Sequence, residues 1–308
     1  MIENMPWLNP AFGQVATEVK ANRLAHALLV QGDRGIGIEV LAEELAGYRL
    51  CPSPTDRKCR QCKSCQLLAA GSHPDIVEIA PSGAAEMIKV DQIREAVTFL
   101  SQTPQIGEWK IVLIRDAHRM NINAANALLK VLEEPPGNSL LLLVTDRPQI
   151  LIPTIRSRCR LLQVNAPDKA QTIEFCRMNQ VPDDDANELC DLLGPKPTLI
   201  CDWVNEGLRE QWSLLHQMLD QFASHQCTAK ELTDALGDLK LADLLEWLMR
   251  QTHDSVKKAV DNSQRLKWLD MYSWLMSTRS EIERGGNLNR QLLLDECFLR
   301  WKGAKVTS

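Results

Sequence analysis

The sequence predicts an α/β domain, a parallel sheet with helices on both faces, followed by a small linking region and an all-helical C-terminal region. Over residues 1–165, short apolar runs alternate with amphipathic stretches, which is typical of strands joined by crossover helices. All 15 prolines lie at or before Pro197. Because proline interrupts helices, the proline-free remainder is predicted to be helical.

Four apolar runs are the predicted strands of the α/β domain. They are Ala27–Val30, Ile76–Ile79, Ile111–Ile114 and Leu140–Val144. The Ala- and Leu-rich run Asn123–Glu134 predicts a helix between the last two strands, with Asn121 or Asn123 as its cap. We expect this helix to stop before Pro135, because a residue that precedes proline disfavours helical backbone.

Two further regions follow the α/β domain. Residues 166–199 carry seven acidic and three basic side chains and end in Gly194-Pro-Lys-Pro197, which favours a small linking domain. Beyond it, large apolar residues recur at steps of three and four, which predicts core or helix-packing faces or, alternatively, a partner surface. These are Leu232, Ala235, Leu236 and Leu239, and then Leu269, Tyr272 and Met276. The predicted domains are residues 1–165, 166–206 and 207–308.

The composition of the 308 residues narrows the class of protein. With 44% apolar and 24% charged residues the chain is globular, and its length leaves room for two or three domains. The net charge of −5 argues against bulk electrostatic binding to nucleic acid or to an anionic membrane. The longest strongly apolar run, Leu140–Val144, is too short to span a bilayer, and Met1–Pro10 is unlike a signal peptide, so we expect a cytoplasmic protein.

A cluster of four cysteines, Cys51, Cys59, Cys62 and Cys65, falls within fifteen residues. Two overlapping Cys-x-x-Cys steps and one cysteine upstream can surround a single tetrahedral ion, and four thiolates leave no position for a catalytic water. We therefore predict a structural zinc site in an insert over residues 51–65. An iron–sulfur cluster, a redox pair, or a site in which His73 replaces one cysteine are the alternatives.

The cysteines outside the cluster and the basic residues of the insert do not by themselves indicate a further site. Six cysteines are scattered singly and are predicted to be small buried residues. Four basic residues decorate the insert, and they either offset the charge of a tetrathiolate site or contact DNA. They are Arg57, Lys58, Arg60 and Lys63.

A glycine-rich loop follows the first predicted strand and opens a helix, which is the setting in which backbone N–H groups cradle phosphates. Gly32, Gly35 and Gly37 have the spacing of a Walker A motif. Ile38 stands where the phosphate-binding lysine is expected, and Glu39 stands in place of the magnesium-binding hydroxyl. Glu39 would also bring a negative charge towards the phosphates. The loop therefore predicts an ATP site that lacks the side chains needed to bind phosphate and magnesium.

The end of the strand Ile111–Ile114 supports the same prediction. A Walker B motif would place two acidic residues here, but the chain has Arg115 followed by Asp116. The carboxylate that would bind the metal is thus absent, and the second one is shorter than a glutamate. Together with the altered loop, this indicates an ATPase-like scaffold that does not hydrolyse ATP.

The run from Ala124 to Pro136, AANALLKVLEEPP, and the later run Thr154–Cys159, TIRSRC, resemble the paired signature of bacterial DNA polymerase III clamp-loader subunits of the AAA+ class. The likeness is close over residues 1–165 and includes the four-cysteine insert. Within that family, tau and gamma subunits keep intact Walker motifs, whereas the delta-prime branch keeps the zinc insert and loses the ATP site. The sequence resembles the delta-prime branch.

The resemblance implies a RecA-like AAA+ domain, a small helical lid and a helical collar by which subunits assemble into a ring. It also implies that Arg158 of the Ser-Arg-Cys motif acts as an arginine finger on the ATP of a neighbouring subunit. Thr145 lies at the position of a sensor residue, and Gly194–Pro197 lacks a second-sensor arginine. No catalytic role is assigned to Arg156 or Arg160.

The function implied is that of a non-hydrolysing subunit that helps load a sliding clamp on primed DNA. It would not be an enzyme by itself, although it would belong to a polymerase complex. Its expected partners are tau/gamma ATPase subunits and a delta subunit, with the clamp and primer-template DNA reached through the complex and no membrane involved. Two alternatives are an active ATPase with a divergent loop and a DNA-binding module that works through the basic zinc loop.

Overall fold

The computed structural model describes residues 2–83, 87–236, 239, 241–283 and 289–305. The chain divides into two compact units, which we describe separately. The first comprises Met1–Cys190 and Pro195–Ile200, and the second comprises Asp191–Gly194 and Cys201–Ser308. The division into three domains, with boundaries near residues 165 and 206, stays a prediction.

A five-stranded parallel sheet forms the centre of the first unit, with the strand order β2-β3-β4-β1-β5. The strands are β1 (Ala27–Gln31), β2 (Ile76–Ile79), β3 (Lys110–Ile114), β4 (Ser139–Thr145) and β5 (Arg160–Gln163). All residues of β3 and β4 are buried, as expected for inner strands covered on both faces. The four predicted strands and the α/β fold class are confirmed, whereas β5 was not predicted.

Helices cover this sheet and continue beyond it. They are α1 (Asn9–Lys20), α2 (Ile38–Leu50), α3 (Lys63–Ala69), α4 (Val90–Leu100), α5 (Ile122–Glu133), α6 (Pro153–Arg156), α7 (Lys169–Met178), α8 (Asp183–Leu193) and α9 (Pro197–Asn205). Apolar residues of α4 and α5 pack on those of β3 and β4 to form a buried core cluster. Burial of this apolar surface is the main force that holds the layers together.

The signature helix α5 begins and ends where local chemistry requires. The Asn121 side chain accepts a hydrogen bond of 2.8 Å from the Ala124 N–H, so Asn121 is the N-cap. The last helical residue is Glu133, two positions before Pro135. The helix predicted over Asn123–Glu134 is therefore confirmed to within one residue at each end.

The second unit is helical throughout the part that the structure describes. After the end of α9 its helices are α10 (Leu208–Ala223), α11 (Ala229–Leu236), α12 (Leu241–Lys258), α13 (Asn262–Glu283) and α14 (Arg290–Lys305). Tryptophan rings join α9, α10 and α12: those of Trp203 and Trp212 stack 4.9 Å apart, and those of Trp212 and Trp247 lie 5.1 Å apart at a tilt of 33°. No helix in the described ranges is long and apolar enough to span a membrane.

Only one of the two predicted apolar faces of this unit is buried. Leu232, Leu236 and Leu239 lie in the core, as predicted. In α13, however, Leu269 and Met276 are 45% and 48% exposed, and the buried face consists of Trp268, Met271 and Leu275. The core prediction was wrong for Leu269 and Met276, because α13 carries apolar residues on more than one face and the spacing alone does not identify the inner one.

Candidate functional site

The four clustered cysteines converge on one point. Their Sγ atoms all lie within 4.8 Å of one another, and those of Cys59 and Cys65 are 3.9 Å apart. Cys51 follows directly on α2, and Cys62 is the N-cap of α3, so two helix ends fix the loop between them. This donor set could hold a metal ion.

Backbone N–H groups point at three of the sulfur atoms. Cys59 donates to Cys51 Sγ, Cys62 to Cys59 Sγ, and Cys65 to Cys62 Sγ, each over 3.4 Å. The bonds from Gln61 and Cys62 lower the pKa of Cys59 to about 6, whereas burial raises the pKa of Cys65 to about 12. A bound cation would favour all four thiolates, so metal binding must release protons.

His73, the alternative fourth ligand, is engaged elsewhere. Its Nε2 lies 2.9 Å from the Ser64 hydroxyl, and its Nδ1 accepts a hydrogen bond of 3.0 Å from the Asp75 N–H. The Ser64 hydroxyl also donates to the Leu50 carbonyl over 2.9 Å. His73 therefore ties α3, and with it the cysteine loop, to the residue that precedes β2.

Three of the four basic side chains of the loop contact the chain itself. Lys58 lies 3.0 Å from Glu44, and Arg60 lies 2.9 Å from Glu3. Arg57 donates to Asn9 and stacks on the ring of Phe12 at 3.9 Å. These contacts fasten the loop to the N-terminal segment and to α2. They use the charges that a DNA-binding loop would present.

The glycine loop joins β1 to α2, and other parts of the first unit are packed against it. Gly35 and Gly37 have φ angles of +86° and +88°, a region that glycine adopts without strain. A β-carbon on Gly35 would lie 2.6 Å from Cβ of Leu199, and one on Gly37 would lie 2.9 Å from Sδ of Met5. At Gly32, the carbonyl oxygen of Val164 would be 3.0 Å away.

Hydrogen bonds fix the same loop. The indole N–H of Trp7 donates to the Ile36 carbonyl over 2.8 Å, and the Thr198 N–H donates to the Gly35 carbonyl over 3.0 Å. Ile38, where a phosphate-binding lysine would stand, is buried in the core. Burial raises the pKa of Glu39, and the nearby carboxylates of Asp116 and Asp146 raise it further. Burial and these two carboxylates thus disfavour the charged form of Glu39, against the opposing effects of its backbone hydrogen bond and of Arg115.

At the end of β3, the arginine in place of a metal-binding carboxylate is itself neutralised. Arg115 pairs with Glu43 at 2.5 Å and with Glu78. Although burial opposes its charge, these two carboxylates raise the pKa of Arg115. The guanidinium thus forms a bridge within the chain, beside Asp116, whose φ of +45° is unusual for a residue with a side chain.

Thr145, at the sensor position, has its hydroxyl engaged by two neighbours. His118 Nδ1 lies 3.0 Å from it, and the Arg147 N–H donates to it over 3.0 Å. Burial lowers the pKa of His118, against the opposing effect of Asp146. The ligand atoms of Asp116, His118 and Asp146 lie within 4.8 Å of one another.

Arg158 lies at the surface, between α6 and β5. Its guanidinium Nη2 is 2.6 Å from Glu133 at the end of α5, and Nη1 donates to the Thr154 carbonyl over 3.1 Å. The next residue, Cys159, is buried, which raises the pKa of its thiol to about 12. Arg160 pairs with Glu18 at 2.5 Å. The buried cysteine anchors the motif and leaves the preceding arginine facing outwards.

Comparison with known proteins assigns the family. A family model described as DNA polymerase III, delta subunit, matches residues 8–168. A DNA polymerase III subunit delta' from Pseudomonas aeruginosa is 36% identical over an alignment 325 positions long, and the match covers 98% of each chain. This chain belongs to the family of DNA polymerase III delta' subunits.

Two further proteins are similar to this delta' family member. A DNA polymerase III subunit tau/gamma from Haemophilus influenzae is 37% identical over 158 residues, which cover 51% of this chain and 22% of that protein. A crystal structure of a gamma subunit-related protein from Thermotoga maritima has a TM-score of 0.55 at 21% identity, with 95% of this chain and 100% of that chain covered. The latter similarity shows a common fold.

Several residues that shape the site of this delta' chain were not predicted. Glu133, which pairs with Arg158, belongs to a signature run that gives it no separate role. Met5, Trp7 and Leu199 contact the glycine loop, but they lie outside any motif and far from it in sequence. The sole signal for them in the sequence is the loss of the Walker lysine, which permits apolar packing where phosphate would otherwise lie.

Proposed function

We propose that this chain is an ATPase-inactive clamp-loader subunit of the cytoplasm, which supplies Arg158 in trans to the ATP site of a neighbouring tau/gamma subunit. The proposal rests on two features that occur together in this chain. The arginine of the Ser-Arg-Cys motif faces outwards, and the glycine loop is packed against residues of its own chain. The chain thus supplies a positively charged side chain to the ATP site of another subunit. Its own glycine loop does not hydrolyse ATP.

Four features support the absence of hydrolysis at the chain's own loop. The buried Ile38 offers no charge to phosphate, and the raised pKa of Glu39 reflects surroundings unfavourable to anions. Leu199 and Met5 occupy the approach to the glycine backbone. Arg115 replaces a carboxylate that would bind the metal. The ATPase alternative would need phosphate and metal contacts from other groups.

The role of Arg158 follows from the chemistry of its side chain. A guanidinium is permanently charged and offers paired donors that match phosphate oxygens. An arginine placed in trans on a transferring phosphoryl group raises the rate by about 10³- to 10⁵-fold. With its partners, tau/gamma and delta subunits, the chain would help open a sliding clamp and place it on primed DNA.

The test is ATP turnover by the complex reconstituted from its subunits. Arg158→Ala should lower the DNA-stimulated rate by at least the share of the one site it serves, with assembly unchanged. Arg156→Ala is the matched control, because Arg156 is an exposed arginine two positions away and should leave the rate unchanged. Equal rates for the Arg158→Ala complex and the unaltered complex would contradict the role of Arg158 as an arginine finger.

The four cysteines are proposed to hold one structural zinc ion. The ligand set is four sulfur atoms with N–H groups directed at three of them, which suits a closed tetrahedral site. Zinc content should be close to one per chain and fall to near zero in Cys62→Ser, with loss of amide protection over residues 51–65. Cys227→Ser, outside the cluster, is the control. An apo chain with an equally protected loop would contradict a structural role.

A further inference from the structure

The guanidinium of Arg158 already has two partners within its own chain. Glu133 Oε1 lies 2.6 Å from Nη2, and the Thr154 carbonyl accepts from Nη1 over 3.1 Å. The two terminal nitrogens are the atoms with which a guanidinium grips a phosphate in bidentate fashion. Both therefore hold an intramolecular acceptor that a phosphate would have to replace or share.

The position of Glu133 is unfavourable for the helix that carries it. Glu133 is the last residue of α5, where the negative end of the helix macrodipole disfavours a carboxylate. Pro135 and Pro136 follow after Glu134 and restrict the backbone beyond this end. The helix macrodipole therefore does not stabilise the Glu133 carboxylate, whereas the Arg158 guanidinium does.

The strength of the contact suits a reversible one. The Arg158 and Glu133 side chains are 36% and 52% exposed. An ion pair this exposed shifts an equilibrium by no more than about fivefold, because water and salt screen it. Such a contact can retain an arginine in the absence of a better acceptor and release it to a group of higher negative charge.

We propose that Glu133 is a latch for Arg158, a positioning residue that competes with the neighbouring subunit's nucleotide for the guanidinium. The latch rests on the proposed function of Arg158 in trans. A carboxylate carries one negative charge, whereas the terminal phosphate of ATP carries more and presents several oxygens. Arg158 therefore leaves Glu133 for the triphosphate, and the carboxylate reclaims it after phosphate is lost.

The decisive variant is Glu133→Gln, which keeps the size of the side chain and removes its charge. In the reconstituted complex it should lower KM for ATP by up to about fivefold and leave kcat unchanged, because the latch opposes binding of substrate and transition state equally. Glu134→Gln removes the adjacent carboxylate and is the matched control. We expect its KM to stay at the level of the unaltered complex.

The pairing itself is tested in a double-mutant cycle. If Glu133 acts through Arg158, then Glu133→Gln has no further effect once Arg158→Ala is present. A lower KM that persists in that background, an equal change in Glu134→Gln, an unchanged KM or a reduced kcat in Glu133→Gln would each overturn the latch. An Arg158→Ala complex with normal turnover would instead refute the function on which the latch rests. Thermal melting of each variant verifies the fold.

Discussion

The carboxylate of Asp75 lies 3.2 Å from the ammonium group of Lys110, and both side chains are buried at the edge of the sheet where β2 and β3 begin. Asp75 also accepts hydrogen bonds from the N–H groups of Gln105 and Ile106, at 2.7 and 2.8 Å. Burial opposes ionisation of Asp75, but these donors and Lys110 outweigh it and lower its pKa. The pair fixes the loop before β3 against the loop before β2.

Removing the cation of this pair should destabilise the sheet. Lys110→Met leaves Asp75 charged and buried without its counter-ion, a change that costs about 3 kcal/mol or more. Hydrogen exchange of the β2 and β3 amides would report it locally. Arg94→Met removes the exposed contact with Asp91 and should cost less than about 1 kcal/mol. Equal effects of the two substitutions would contradict the assigned role of the buried pair.

His73 should make the stability of this region depend on pH. Burial lowers the pKa of His73, with Asp75 opposing, so the fold favours the neutral ring, whose Nδ1 accepts the Asp75 N–H. The unfolded chain takes up the proton first as pH falls. Stability is therefore complete above about pH 6.5 and declines below it.

The measurement is amide exchange of β2 from pH 7.5 down to pH 5.5, corrected for the intrinsic rate, in the metal-loaded chain. His73→Gln should give a flatter pH profile with lower protection at pH 7.5. The four cysteines are the same in both chains, so their own titration cancels in the comparison. A steeper profile in His73→Gln would show that another group controls the pH dependence.

The cysteine cluster could be predicted because its ligands lie within fifteen residues and their spacing alone brings them together. The polar contacts that connect this cluster to β2 and β3 could not be predicted. Ser64 lies in α3, His73 in the loop before β2 and Lys110 in β3. Polar residues that meet in this way across the tertiary structure leave no periodic signal in a sequence. The same holds for Leu199 at the glycine loop, 164 positions after the Gly35 it contacts.

Gly35 should not tolerate a side chain. Its φ of +86° strains any L-residue, and a methyl group would lie 2.6 Å from Leu199 Cβ, so we expect Gly35→Ala to destabilise the first unit by about 2 kcal/mol. Gly13 lies within α1, and a methyl group there would meet no atom within 4 Å, so Gly13→Ala should instead stabilise by about 0.5–1 kcal/mol. Denaturant unfolding compares them. Equal stability would contradict the close packing at Gly35.

Restoring the Walker residues should not restore an ATPase. The double substitution Ile38→Lys with Glu39→Thr supplies the missing lysine and hydroxyl, but position 38 is buried, and Arg115 still occupies the place of the metal-binding carboxylate. We expect no ATP turnover by the purified variant and a loss of stability from the buried charge. Turnover that a further Gly37→Arg substitution abolished would show that the two positions alone had silenced the site.

The fold was predictable where apolar runs were continuous, as in β3 and β4. The edge strand β5 was missed because Arg160 and Gln163 enclose only two apolar residues, and Leu161 is exposed. Edge strands are shielded on fewer sides than inner strands, so they keep a weaker hydrophobic signal. In α13 the signal fails for the opposite reason, since apolar residues on several sides of the helix satisfy more than one helical spacing.

The exposed apolar side of α13 allows a test of the expected collar, the helical region 207–308 by which subunits would assemble into a ring. Leu269 is 45% exposed, whereas Leu275, six positions later on the same helix, is fully buried. Leu269→Glu should change the free energy of unfolding of the isolated chain by no more than about 0.5 kcal/mol, as for other surface positions. Leu275→Glu should unfold the second unit, because it buries an unpaired charge.

If residues 207–308 assemble with other subunits through the exposed side, Leu269→Glu weakens assembly measured by analytical ultracentrifugation, while Leu269→Met does not. Unimpaired assembly of a stable Leu269→Glu chain would exclude this side of α13 from the collar interface, because a charge introduced into an apolar contact must be desolvated without a partner.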